Sequence, residues 1–139
     1  MVTKRFRMFC GPNGSGKSTF SFETVMSHHS KVSFLKEVKQ AGFKTYLYFI
    51  CTQDPEINKK RVLNRVSKGG HSVDEGKIES RYYRSLDLLY EAFNTADRAF
   101  VIDSTNQKRN VVLEKKADEI YFQNQNIPEW IARYLIDKY

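Results

Sequence analysis

Residues 5–18, RFRMFCGPNGSGKS, join a short apolar run to a glycine-rich loop. Phe6 to Cys10 reads as a strand, and the eight residues Gly11, Pro12, Asn13, Gly14, Ser15, Gly16, Lys17 and Ser18 fit G-x-x-x-x-G-K-[ST] at every defined position. Each residue type has a physical reason. Glycines permit the backbone angles that turn successive amide N–H groups inward on a phosphate. Lys17 supplies a point charge for the terminal phosphates, Ser18 offers a hydroxyl to Mg2+, and a helix starting there directs its positive end at the anion. The loop follows directly on a strand, which is the context the motif demands. A nucleotide such as ATP, with magnesium, is therefore the expected ligand of residues 11–19, Thr19 included.

Outward from the loop, short apolar runs alternate with longer amphipathic ones, the pattern of an α/β domain with a largely parallel sheet. Residues 20–25 are ambiguous, since Phe20 and Phe22 alternate like a strand but could continue a helix from Ser18. Residues 30–41 read as a helix capped by Ser30 and stopped by Gly42. Tyr46 to Cys51 reads as a strand buried on both faces. Asp54 caps a helix with Pro55 at its first position, running to Gly69-Gly70. A further helix spans about Asp74 to Phe93, with Ile78, Tyr82, Leu86, Leu89 and Phe93 as its core stripe. Ala99 to Asp103 reads as a second buried strand, Val111 to Phe122 as a hairpin around Ala117-Asp118, and residues 128–138 as a closing helix carrying Trp130, Ile131, Tyr134 and Leu135.

Composition sets the outer limits. A chain of 139 residues, 40% hydrophobic and 28% charged, is sized and composed as one globular domain over 1–139. The longest apolar run is the six residues Tyr46–Cys51, against about twenty for a spanning helix, so no membrane segment is expected. The apolar stretch after Lys4, Arg5 and Arg7 is too short for a signal-peptide core, which makes a cytoplasmic location the expectation. Cys10 and Cys51 both close apolar runs and read as packed, reduced thiols. The net charge of +7 gathers in two places: residues 1–22 carry four cations and no acid, and residues 59–84 carry eight cations against three acids. Basic charge in two segments suits an anionic ligand held between them, or a solvated face.

The second basic segment has a geometry of its own. Arg61, Arg65 and Lys68 fall at i, i+4 and i+7 on one helix, and Lys77, Arg81 and Arg84 repeat that spacing on the next. Two such stripes flanking Gly69-Gly70-His71 could close as a lid, residues 59–84, over a triphosphate, with Arg65, Arg81 and Arg84 stabilising charge in phosphoryl transfer. Asp103, ending a strand, could hold Mg2+ directly or through water, or could be an ordinary turn aspartate. Glu23 and Thr24 lie at the end of a candidate strand, the edge where open α/β sheets bind ligands. His28 and His29 are adjacent and point apart on any regular element, so surface or capping roles fit better than a shared metal.

These residues resemble a known family. GPNGSGKST, the stretch FSFETVMSHHSKVSFLKEVKQAGFKTYLYFI, the stretch RVLNRVSKGGHSVDEGKIESRYYRSLDLL and the closing IPEW are similar to the zeta-toxin-like phosphate-loop kinases, including chains described as predicted ATPases. The resemblance covers nearly the whole chain. It implies a three-layer P-loop NTPase/kinase-like domain with a mostly parallel sheet, a helical lid and a C-terminal hairpin plus helix. It also implies ATP- and Mg2+-dependent phosphorylation of a small-molecule hydroxyl, with a nucleotide sugar, UDP-N-acetylglucosamine, as the acceptor of the zeta toxins proper. In those terms Lys17 and Ser18 serve ATP and magnesium, Glu23, Thr24 and Asp103 face the acceptor side, and Arg65, Arg81 and Arg84 belong to the lid. The family implies an antitoxin protein as a partner for the toxins proper. A nucleic-acid-associated ATPase rests on the basic balance alone, and nucleic acid is not an expected partner.

One departure stands out. Family members carry several tens of residues between the phosphate loop and the FET segment, including an acidic motif whose aspartate acts as general base; here Thr19 is followed at once by FSFET. If the shortening is real, residues 18–29 are expected to run on as one helix and Glu23 to leave the acceptor site, because a parallel crossover needs about a dozen residues. A nucleotide-binding module without efficient catalysis is then the alternative function. If a stretch is missing between Thr19 and Phe22, the strand at 20–25 stands.

Overall fold

A computed structural model describes residues 4–12 and 22–139, with side chains for 4–12 and 24–139. In chain order the elements are β1 (Arg5–Cys10), β2 (Phe22–Thr24), α1 (His29–Gln40), β3 (Lys44–Cys51), α2 (Pro55–Ser67), α3 (Glu75–Thr95), β4 (Arg98–Asp103), β5 (Asn110–Lys116), β6 (Glu119–Phe122) and α4 (Glu129–Tyr134), followed by a 3-10 turn at Ile136–Lys138. The six strands form one sheet in the order β2-β1-β3-β4-β5-β6. The first four are parallel, and β5 and β6 pair antiparallel at one side. The chain is thus an α/β domain with a mixed, mostly parallel open sheet.

β2 decides between the alternatives for residues 18–29. Phe22–Thr24 pairs parallel with Met8–Cys10, so the single-helix alternative does not form. The register explains how eleven connecting residues suffice: Phe22 lies opposite Met8, so the chain steps back only two strand positions, roughly 7 Å, after leaving Cys10.

The helix signals worked locally, with two corrections. α1 is capped by His28 rather than Ser30: the His28 Nδ1 accepts the Ser30 N–H at 3.1 Å, leaving Ser30 inside the first turn. Asp54 caps α2 as expected, through the bond from Glu56 N–H at 2.8 Å, and Asp74 caps α3 through Lys77 N–H at 3.3 Å. The closing helix is shorter than 128–138, because the chain leaves helical geometry at Leu135 and resumes as the 3-10 turn. Ala117, at φ 57°, takes the left-handed position of the β5–β6 turn.

The core lies over one face of the sheet. Met8, Leu47, Phe49, Ala99, Val101 and Leu113 from the strands are buried with Val32 and Leu35 of α1, Leu86, Leu89 and Phe93 of α3, and Trp130 and Ile131 of α4. Cys10 and Cys51 are free and buried within it, and burial pushes the Cys51 thiol pKa well up, so it packs as a small neutral apolar group. Among the described residues the layers are the sheet and the helices on this face, the α/β part of the expected three-layer domain. Residues 13–21, which join β1 to β2 and on which the phosphate loop and any helix after it fall, lie outside the described residues.

Asp97 ties this layer to the sheet at the amino end of β4. Its Oδ2 accepts from Thr45 N–H at 2.7 Å and Thr45 Oγ1 at 3.0 Å, and Lys39 Nζ lies 3.6 Å from Oδ1. Partial burial pushes its pKa up, but the Thr45 bonds and Lys39 outweigh burial and hold the carboxyl below the usual aspartate value. A carboxyl depressed in the folded state contributes stability above its unfolded pKa, and that stability is lost as pH falls through the folded value. Asp97→Asn is expected to cost about 1–2 kcal/mol near neutral pH. Urea denaturation at a series of pH values should show the gap from wild type closing as pH drops below the ordinary aspartate range.

Candidate functional site

Four parallel strands end at one edge, in the order Thr24, Cys10, Cys51 and Asp103. From β1 the chain goes to β2 on one side and then returns past it to β3 on the other. β1 is thus the point at which strand order reverses, and ligands of open α/β sheets bind in the crevice outside the carboxyl ends at such a point. The glycine-rich loop starts there. Gly11 leaves β1 at φ 148°, a conformation strained for any residue with a Cβ, and Gly11 and Pro12 are buried. Asn13, Gly14, Ser15, Gly16, Lys17, Ser18 and Thr19 lie outside the described residues. Glu23 is in register with Phe9 beside the loop's strand, and Thr24 is buried opposite Cys10.

Asp103 is two strands from β1, roughly 10 Å away across the sheet. It is buried, and its Oδ1 accepts from Trp130 Nε1 at 2.8 Å and from Thr105 Oγ1 at 2.8 Å. The Thr105 hydroxyl in turn accepts from Gln53 N–H at 2.9 Å, and the Ser104 N–H donates to the Cys51 carbonyl at 2.9 Å. These bonds stitch the exits of β3 and β4 into one rigid ledge. Sequence reading placed Trp130 in the core and missed its bond to Asp103; the only available signal was that a buried indole N–H needs an acceptor. Trp130→Phe keeps most of the ring and removes the donor. It is expected to cost about 1–3 kcal/mol, read as a lower urea midpoint.

The two basic helices are anchored to this ledge. Asp54 caps α2, the Thr52 hydroxyl donates to the Asp54 carbonyl at 3.0 Å and bonds Asn58, and Tyr82 of α3 donates to the Thr52 carbonyl at 2.7 Å. Lys59 bridges α2 and α3 through Glu56 at 2.8 Å and Glu79 at 3.0 Å; those carboxylates pull its pKa up. Arg61 does not stand in the lid stripe as a ligand-facing cation. Its guanidinium binds Ser104 Oγ at 3.3 Å and the carbonyls of Ser104 and Thr105, tethering α2 to the loop after β4. Arg65, one turn further on, is exposed and lines a cleft of about 220 Å³ with Gly70 and His71. Gly70 is required there: a Cβ would stand 2.8 Å from the Arg65 carbonyl oxygen. On α3, Arg84 and Lys77 are exposed and Arg81 is half-buried, so this stripe faces away from the core as its spacing requires.

A second cleft of about 190 Å³ opens at the same edge between the exit of β3, the first turns of α3, and α4, lined by Gln53, Tyr83, Glu129 and Arg133 among others. Among the described residues no cluster of three His, Cys, Asp or Glu side chains is placed to hold a metal ion. No helix among them is long and apolar enough to cross a membrane.

No family model matches the chain, and no solved structure matches it significantly. A curated protein of Haemophilus influenzae, described as uncharacterized, is 35% identical over 63 residues. That match covers 45% of this chain and 45% of the relative.

Proposed function

We propose that this protein is a P-loop phosphotransferase of the zeta-toxin-like kind, which binds Mg-ATP and phosphorylates a small-molecule hydroxyl, with a nucleotide sugar as the acceptor class. One observation carries the reading: a complete G-x-x-x-x-G-K-S loop begins at the carboxyl end of β1, the strand at which sheet order reverses. ATP supplies the transferable phosphoryl group. Lys17 neutralises its terminal phosphates, the loop amides hold them, and Ser18 contributes a hydroxyl to the magnesium ion. Asp103, with one oxygen already bonded to Trp130 and Thr105, suits contact with the ion through water better than direct ligation. Arg65, Arg81 and Arg84 project from helices anchored on the ledge and would bring positive charge over the phosphates from the lid. Glu23 and Thr24 end the strand beside the loop and are the acceptor-side candidates.

A second reading, nucleotide binding without efficient chemistry, is favoured by the spacing of β1 and β2. Eleven residues between adjacent parallel strands leave no room for the several tens that carry the family's general base. Assay of γ-phosphate transfer from Mg-ATP to UDP-N-acetylglucosamine, beside a binding titration, separates the two. Saturable binding with transfer supports the kinase; saturable binding without transfer supports the module; no binding refutes both.

A further inference from the structure

The cleft of about 190 Å³ between the exit of β3, α3 and α4 is lined by described residues and by none of the phosphate loop. Three of its side chains are fixed by hydrogen bonds. Tyr82 donates to the Thr52 carbonyl at 2.7 Å, Trp130 donates to Asp103 at 2.8 Å, and Asp54 Oδ1 accepts the Glu56 N–H at 2.8 Å. The floor is thus set before any ligand arrives, as in most small-molecule sites. The groups left over are planar and polar. Gln53, Glu129 and Arg133 are exposed, and among the described residues their side chains make no hydrogen bond or ion pair. Glu129 and Arg133 stand one turn apart on α4, a spacing at which opposite charges commonly pair, yet no ion pair joins them. Tyr83, 44% exposed, supplies an aromatic wall: it meets Tyr82 edge to face at 5.1 Å, which leaves a ring face open. Tyr134 has a face covered by Arg133 at 5.7 Å.

We propose that this cleft binds the ring of a neutral sugar. Two carboxylates and one guanidinium share it, so a simple cation meets Arg133 and a simple anion meets Asp54 and Glu129. Hydroxyl groups both donate and accept. Vicinal hydroxyls can therefore satisfy the carboxylates, the Gln53 amide and the guanidinium alike, since each offers two polar atoms in one plane. The C–H face of the sugar would lie on Tyr83, whose ring gives apolar area and keeps a polar tip. A volume of about 190 Å³ falls below the roughly 300 Å³ at which sites for larger ligands begin, and suits one ring. A free amino acid is the competing occupant, because its two charges could divide between Arg133 and Glu129. It would leave Gln53 and Asp54 without partners, which favours the sugar.

Trp130 lines the cleft and is the only tryptophan of the chain, so its emission reports occupancy. The test titrates the full chain with glucose, galactose, mannose and N-acetylglucosamine, and with serine, choline and inorganic phosphate as zwitterion, cation and anion. The expected result is a saturable change in emission with at least one sugar, at about millimolar concentration, and none with the three ions. Amide shifts of the isotope-labelled chain should gather on Gln53, Tyr83 and residues 129–134. Arg133→Ala and Tyr83→Ala, both at exposed positions, should each weaken binding about tenfold or more with little change in melting temperature. Lys17→Ala should bind the sugar like wild type, which keeps the result separate from the nucleotide reading. The proposal is overturned by no saturable change with any of the sugars, or by serine, choline or phosphate binding as tightly. It is also overturned by shifts centred outside the cleft or by undiminished binding in both variants.

Discussion

Lys17→Ala is expected to lower magnesium-dependent phosphotransfer about 10²–10³-fold while leaving the melting temperature unchanged. The reason is electrostatic. Phosphoryl transfer asks the protein for positioning and charge rather than covalent chemistry, and the loop lysine meets the phosphates on which charge concentrates. Backbone amides of the loop remain in the alanine variant, so weakened nucleotide binding, not its complete disappearance, is the expected companion. A radiometric or coupled assay with UDP-N-acetylglucosamine, run beside a thermal melt, reads both quantities. Undiminished transfer in the variant would remove the proposed function, because that reading assigns the charge on the terminal phosphates to this lysine.

Phe49→Ala is expected to cost about 3–5 kcal/mol, the loss of a fully buried aromatic ring plus the cavity left behind. Phe49 lies on the central strand β3, opposite Cys10 of β1 and Val101 of β4, and its ring centroid is 6.2 Å from that of Trp130. It therefore supports both the core and the indole that holds Asp103. Against a total stability of about 5–15 kcal/mol, the variant would retain a small margin at best. Differential scanning calorimetry should place its melting temperature about 10–15 °C below wild type. A shift of only a few degrees would mean that the region over β3 relaxes to fill the gap.

Much of this fold could be read from the residues because each signal was local. The Asp54-Pro55 start, the Ile78-Tyr82-Leu86-Leu89-Phe93 stripe and the hairpin around Ala117-Asp118 all rest on interactions within a few residues. What could not be read depended on partners far along the chain. Residues 22–24 are a strand because β1 offers them a parallel edge, a pairing that no local periodicity decides. Arg61 shares the spacing of Arg65 but spends its guanidinium on Ser104 and Thr105, 43 and 44 residues away. Trp130 reads as core by apolarity, while its N–H serves Asp103. The stacked rings Phe9, Tyr48 and Phe100 come from three strands at wide separation, so no single stretch announces them. The loop itself was legible as a motif, and its recognition rests on the sequence.

Titration of the purified chain with ATP by isothermal calorimetry, with magnesium and then with EDTA, tests the central claim most directly. The account predicts one saturable site per chain that weakens strongly when magnesium is removed and again in Lys17→Ala. Absence of heat and of any competition by unlabelled nucleotide at millimolar ATP, in a chain that melts cooperatively, would contradict it.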